Sequence, residues 1–239
     1  NPHDQEYLTN LAMALIESLN FKEAVNIEQL LDKNINNKRA LSGYLFNQNY
    51  NPQINFDKLN SYIKKFNQSS KKDNLNIINF CFKKNPEKIN VGFVSPDFRS
   101  HPVGHALINV IEHLKSYNFN LFGYYNFSFE DDLTNKFKKD FDYFHNITDL
   151  SDEQTINKIR SDGIHILIDL AGYTFNNRLS IFCNNPHFPH IMRFRNITNS
   201  IIKKHLFFGA ELFPPCFSLE KPPFHRHVNH HGPVRSVTK

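Results

Sequence analysis

The segment Ser95-Pro96-Asp97-Phe98-Arg99-Ser100-His101-Pro102-Val103-Gly104-His105 gathers a carboxylate, a guanidinium, hydroxyls and two imidazoles into one short turn. Pro102 suits the first position of a helix, because its ring presets φ and its missing N–H would have no partner there anyway. His101 then stands beside a helix N-terminus, where free N–H groups and the dipole favour an anion such as a phosphate. An imidazole in that place can act as a general base or donate a hydrogen bond to a polar substrate. The plainer alternative is that Asp97 and Ser100 cap the helix and His101 is solvated. A second stretch, Asp162-Gly163-Ile164-His165-Ile166-Leu167-Ile168-Asp169-Leu170-Ala171-Gly172-Tyr173-Thr174, sets a carboxylate inside an apolar run. Burying Asp169 is costly unless it is hydrogen-bonded, so its expected role is to tie the following loop to the sheet. Gly172 allows close backbone approach, and Tyr173 and Thr174 are placed to line a pocket. His165, at a strand start, reads as structural.

Other reactive groups point to less. Cys216, His225, His227, His230 and His231 match no Cys-x-x-Cys and His-x-x-x-His zinc spacing, so no metal site is expected. Asn146-Ile147-Thr148 and Asn196-Ile197-Thr198 have the glycosylation pattern, but nothing in the sequence indicates secretion.

The elements that must position these residues follow from periodicity. Residues 4–68 read as helices: Leu8, Leu11, Ala12 and Leu15 recur at helical spacing, and so do Ala24, Ile27, Leu30 and Leu31. A third helix covers Leu41 to Phe46, with Pro52 beyond it as a stop, and a fourth covers Phe56 to Phe66. Gln68 to Asn76 is polar and reads as a linker. From Lys88 onward strands alternate with helices. The strands are Ile89–Val94, Leu121–Tyr125 and His165–Leu170, and the helices are Val103–Leu114, Asp131–Phe141, Asp149–Arg160 (with Ser151 as its cap) and Asn176–Cys183. That alternation predicts an α/β fold with a parallel sheet of βαβ units, in which ligands sit beyond the carboxyl ends of the strands. The turns SPDFRSHPVGH and DLAGYT occupy those ends.

Composition bounds the rest. The chain has 239 residues, 40% of them hydrophobic and 21% charged, which suits a globular protein rather than a disordered one. No apolar run is long enough to span a membrane. Three scattered cysteines read as thiols of a reducing compartment, and the first residues lack a signal-peptide pattern, so a cytoplasmic location is expected. The net charge of +5 is uneven. Residues 187–239 carry eight basic and two acidic side chains, while the preceding 186 residues sum to −1. The recognisable portion therefore gives no electrostatic reason to expect a nucleic-acid partner. The tail also holds 7 of the 13 His and 6 of the 12 Pro, and it does not read as a continuation of the sheet.

INVGFVSPDFRSHPVGH together with LSDEQTINKIRSDGIHILIDLAGYTFNNRLSIFCNNP resembles the catalytic region of the protein O-linked N-acetylglucosamine transferases and their plant SPINDLY relatives, glycosyltransferase family 41. The resemblance is dense from Ile89 to Pro186. LFNQNYNPQ looks like the family's transition segment, and the N-terminal helices resemble the end of its tetratricopeptide array. The resemblance implies a two-lobed GT-B fold with catalysis between Rossmann-like lobes, and transfer of a sugar from a UDP-sugar to protein Ser or Thr without a bound metal or other cofactor. SPINDLY relatives use GDP-fucose. His101 matches the family's active-site His of the HPxxH turn, and Pro102, Asp162, His165, Tyr173 and Thr174 fall near its cleft. Many bacterial relatives read GHT where Gly172-Tyr173-Thr174 stands, so a second catalytic His is lacking here.

After Pro186 the family's PAPIQ-like segment, GYPGTTG-like loop and second lobe do not follow. The expected organisation is a helical tail and linker over 1–76, an N-terminal Rossmann-like lobe over 77–186, and a divergent tail over 187–239. A shifted reading frame, or a fragment joined to unrelated sequence, would produce that tail. The expected function is transfer of N-acetylglucosamine from UDP-N-acetylglucosamine to protein hydroxyls, this chain being incomplete and inactive by itself. The alternatives are an O-fucosyltransferase and a non-catalytic interaction module built on the helices. The expected partners are a nucleotide-sugar donor and a protein acceptor, with no membrane.

Overall fold

The computed structural model describes residues 4–32, 35–51, 55–72, 75–78, 86–184 and 190–193. These all belong to one unit of the chain, Asn1–Thr198. Pro52, Cys81, Cys216, the Asn196 sequon, the tail histidines beyond His190 and the frame-shift expectation lie outside the described residues.

Four helices come first: α1 Gln5–Glu17, α2 Phe21–Asp32, α3 Lys38–Asn47 and α4 Phe56–Ser70, with a 3-10 turn at Gln48–Tyr50. Side-chain caps start three of them, Asp4 on α1, Asn37 on α3 and Asn55 on α4. α1 packs on α2 and α3, and its Leu8, Ala12 and Ile16 are buried. The helix α4 continues three residues into the stretch read as a linker, and Ser70 there is buried.

The helices share their core with the α/β part. Ile35, Ala40, Leu41, Tyr44, Leu45, Ile63 and Phe66 form one buried cluster with Leu179, against which Tyr173 packs. Polar ties reinforce it. Ser42 Oγ donates to the Tyr173 carbonyl at 3.1 Å, and Asn184 Nδ2 donates to the Ser70 carbonyl at 2.6 Å.

Five strands follow, β1 Ile89–Ser95, β2 Phe119–Tyr125, β3 Tyr143–Asn146, β4 Ile166–Asp169 and β5 His190–Arg193, all parallel, in the order β3-β2-β1-β4-β5. Between them run α5 Pro102–Leu114, α6 Asp132–Asp140, α7 Asp152–Ser161 and α8 Leu179–Cys183. Alternation sorts the β1 side chains. Val91 and Phe93 join the cluster with Leu107, Ile111 and Phe137 of α5 and α6, and Val94 joins Ile156, Ile159, Ile181 and Phe182 of α7 and α8. Both faces of the sheet are therefore covered, as a parallel sheet requires. No helix among the described residues is long and apolar enough to cross a membrane.

The structure differs from the sequence reading at both sheet edges. β3 was not anticipated, and β5 continues the sheet into the segment read as departing from it. α8 starts at Leu179 rather than Asn176, because Asn176 adopts a left-handed backbone with φ 56° that helices do not tolerate.

Candidate active site

β1 and β4 lie side by side, but the chain leaves them in opposite directions along the sheet, β1 toward β2 and β4 toward β5. Such a switch point opens a crevice beyond the strand ends. Both turns singled out by their chemistry meet there. A cleft of about 130 Å3 is lined by Pro96, Asp97, Arg99, His101 and Val103 from the β1 side, Phe127 after β2, and Leu170, Thr174, Phe175 and Asn176 after β4. Ligand pockets in general run roughly 300–1,000 Å3, so this cleft holds part of a nucleotide-sized ligand.

The β1 turn is fixed from below by Phe98, which is fully buried with its ring centroid 5.1–6.0 Å from those of Phe137, Phe141, Phe144 and Tyr125. Burying such a side chain is worth about 1.5–3 kcal/mol. From the side, the turn lies directly on the first turn of α5. A Cβ on Gly104 would come within 2.2 Å of the Arg99 carbonyl oxygen and 2.6 Å of that of Asp97. Ser100 closes the outside, its N–H donating to Asp131 Oδ2 at 2.6 Å and its hydroxyl lying 3.2 Å from His105 Nε2.

His101 is itself the N-cap of α5. Its backbone is extended, and its Nδ1 accepts the Val103 N–H at 3.3 Å. Pro102 holds the first helical position, as its ring requires, and lies outside the cleft lining; its role is to start the helix that carries His101. Because Nδ1 accepts, a neutral ring carries its proton on Nε2. That nitrogen has no protein partner among the described residues, and His101 lines the cleft. The site as built presents a hydrogen-bond donor.

Asp97 is buried next to it, its Oδ1 lying 3.6 Å from both Arg99 Nη2 and His101 Nδ1. Burial pushes its carboxyl up from the ordinary value, while the charges of His101 and Arg99 pull it back. The Arg99 guanidinium rests 4.8 Å above the Phe127 ring, and its Nε is buried without a partner among the described residues. Phe175 stands on the rim, 81% exposed.

On the β4 side, Asp169 performs the role its burial demands. It is fully buried, and its two oxygens accept the Ala171 and Gly172 N–H groups at 3.1 and 3.0 Å. Gly172 turns the chain with φ 59°. Thr174 reaches the cleft, its hydroxyl bonded to the Ala171 carbonyl at 2.8 Å.

Three other expected residues lie elsewhere. Tyr173 points away from the cleft and meets Phe66 edge-on at 5.2 Å, so it joins the loop to the helices. Asp162 ends α7 at the opposite, amino-terminal end of β4, where its carboxylate accepts from Tyr124 Oη at 2.8 Å and pairs with Lys158. His165 sits at that same end. Its Nδ1 accepts the Asn90 N–H at 3.0 Å, which ties the start of β4 to β1.

Arg178 went unnoticed as a site residue, although it stands in the NRL block. It fans out to five oxygens, donating to Asn126 Oδ1, Thr155 Oγ1 and the Ile147 and Leu150 carbonyls at 2.8–3.1 Å, and pairing with Asp152 Oδ1 at 3.2 Å. Asn126 in turn donates to the Asn176 carbonyl on the cleft rim at 2.8 Å. Arg178 therefore clamps together the loops after β2, β3 and β4.

A probable UDP-N-acetylglucosamine–peptide N-acetylglucosaminyltransferase, SPINDLY, of Solanum lycopersicum is 27% identical over 100 residues, 40% of this chain and 11% of its own length. A probable enzyme of the same description, SEC of Arabidopsis thaliana, is 28% identical over 101 residues, 42% of this chain and 10% of its own. The chain thus spans about a tenth of the length of these curated relatives. The solved O-GlcNAc transferase of Thermobaculum terrenum, a point mutant, superposes with a TM-score of 0.69 at 24% identity, over 81% of this chain and 38% of that one, and so shares its fold. The profile of glycosyl transferase family 41 matches residues 54–196, three-fifths of the chain and all of the cleft. With its sheet, both cleft turns and helix α4 inside that match, the chain belongs to glycosyl transferase family 41.

Proposed function

We propose that this chain supplies one wall of the site in which N-acetylglucosamine passes from UDP-N-acetylglucosamine to a protein Ser or Thr hydroxyl. The observation that carries the reading is His101, its imidazole fixed by the Val103 N–H and its Nε2 without a protein partner among the described residues, lining a cleft that Arg99 also lines. In such a transfer the hydroxyl oxygen bonds to the anomeric carbon as the bond from that carbon to the diphosphate oxygen breaks. The hydroxyl's proton passes to the departing diphosphate, which keeps the electron pair of the broken bond. Donors and cations preset around that leaving oxygen lower the barrier. His101 Nε2–H and Arg99 are such groups, so the reading requires no resident metal or cofactor. The names of the plant relatives support the donor and the peptide acceptor.

The test, made on the full-length gene product, is transfer of labelled N-acetylglucosamine to a Ser/Thr-rich protein, with GDP-fucose as the competing donor. Label incorporated from UDP-N-acetylglucosamine and lost in His101→Ala supports the reading. Transfer from GDP-fucose alone replaces the donor. Transfer unaffected by His101→Ala removes that residue from the mechanism.

A further inference from the structure

His101 Nδ1 has two competing claims on it. The Val103 N–H, 3.3 Å away, needs Nδ1 unprotonated, whereas the Asp97 carboxylate, 3.6 Å away, would take up an Nδ1–H. One nitrogen cannot satisfy both. The choice decides what the cleft receives, because a ring protonated on Nδ1 shows the cleft a lone pair, and a ring protonated on Nε2 shows it a donor. The same Asp97 oxygen that faces Nδ1 also faces Arg99 Nη2 at 3.6 Å. We infer that Arg99 is a positioning residue: by occupying Asp97 it leaves Nδ1 to the Val103 N–H and fixes His101 as an Nε2–H donor.

The surroundings make Arg99 the group that decides. Phe127 beneath its guanidinium and the Gly104 contact on its backbone hold it in place. Of the other charged or titratable groups near His101, His105 of α5 faces Ser100 Oγ and Asp131 at the start of α6 binds the Ser100 N–H, so neither touches Asp97. The loop from Leu170 to Asn177 brings no charge, and its Tyr173 lies against Phe66. Arg99 is the guanidinium cation that stands 3.6 Å from Asp97. Without it, an uncompensated buried carboxylate remains, for which Nδ1–H is the available donor.

This inference rests on the proposed function for its consequence, in which a donor rather than a base faces the sugar nucleotide, but its test does not. The protonated ring nitrogen of His101 is read by 15N NMR of the whole chain in alkaline buffer, with the signal assigned by its loss in His101→Gln. The wild type is expected to carry the proton on Nε2, Arg99→Gln to move it to Nδ1, and Arg99→Lys to restore it to Nε2. Should Arg99→Gln not fold, Arg99→Met keeps the packing on Phe127 without the charge and carries the same expectation. A wild-type ring protonated on Nδ1, or an uncharged variant at position 99 whose tautomer is unchanged, overturns the inference. A tautomer that moves as expected in a protein that binds no UDP-N-acetylglucosamine leaves the inference standing and removes the proposed function instead.

Discussion

Substituting Gly104 by Ala puts the architecture of the β1 turn to a quantitative test. The added Cβ would lie 2.2 Å from the Arg99 carbonyl oxygen and 2.6 Å from the Asp97 oxygen, and both are backbone atoms that no rotamer change moves aside. Reaching 3.0 Å, the shortest separation real Cβ atoms show, requires the turn to retreat by about 0.8 Å from the 2.2 Å starting point. Phe98 opposes that retreat, being locked among four rings at the base of the turn. Overpacking of this kind costs about 1–3 kcal/mol, and disturbing the His101 cap adds about 1. Against it stands the gain in helix propensity from Gly to Ala, about 1 kcal/mol. The net is a loss of about 2 kcal/mol, which at a urea slope of about 2 kcal/mol/M lowers the unfolding midpoint by about 1 M. Urea denaturation measures this directly, and the His101 ring signals should shift in the folded variant. A midpoint equal to or above the wild type, with those signals unmoved, would show that the turn does not bear on α5 as described.

Three further outcomes follow from the same packing. Gly172→Ala meets no atom within 4 Å, so only its left-handed backbone, φ 59°, opposes it, and chemical denaturation should show a loss of about 1–2 kcal/mol. Arg178→Met leaves the Ile147 and Leu150 carbonyls without their donor and Asp152 with Lys72 alone at 4.0 Å, and should cost about 3 kcal/mol or more in the same assay; Arg178→Lys should not restore it, because one ammonium cannot span five oxygens. Burial holds the His165 imidazole below its ordinary value of 6.5, and its Nδ1 accepts the Asn90 N–H, so the folded state prefers the neutral ring. Its contribution is therefore complete above pH 6.5 and is lost as pH falls toward the folded value. Thermal melts across pH 7 to 5 should decline less steeply in His165→Asn than in the wild type.

Local chemistry made much of this site legible. Pro102 at N1, the Ser151 cap and the buried Asp169 each follow from what one side chain does to its own backbone, and each stands where its chemistry puts it. The apolar runs of β1, β2 and β4 announced themselves likewise. Long-range pairing was what the sequence concealed. Tyr143-Phe144-His145-Asn146 is too short and too polar to read as a strand, and becomes one by its register with Phe122 to Tyr125. Tyr173 and Thr174 are neighbours in sequence, yet the left-handed residues Gly172 and Asn176 turn the loop so that Tyr173 meets Phe66 while Thr174 meets the cleft. Asp162 and His165 resemble cleft residues by motif, but they lie before β4, and crevices of parallel sheets open after the strands. Arg178 was hidden because its five partners come from three separate segments, the loops after β2 and β3 and the helix α7.

The central claim is that the crevice beyond β1 and β4, with His101 as its donor, receives the sugar nucleotide. Titration of UDP-N-acetylglucosamine into the 15N-labelled chain, followed by amide shifts, tests it most directly. The account predicts shifts concentrated at Arg99, His101, Val103, Thr174 and Phe175, and at least about tenfold weaker binding in His101→Ala, the loss of one hydrogen bond to a charged oxygen. Shifts that map to the outer helices α1 and α2, or binding undiminished in His101→Ala, would contradict it.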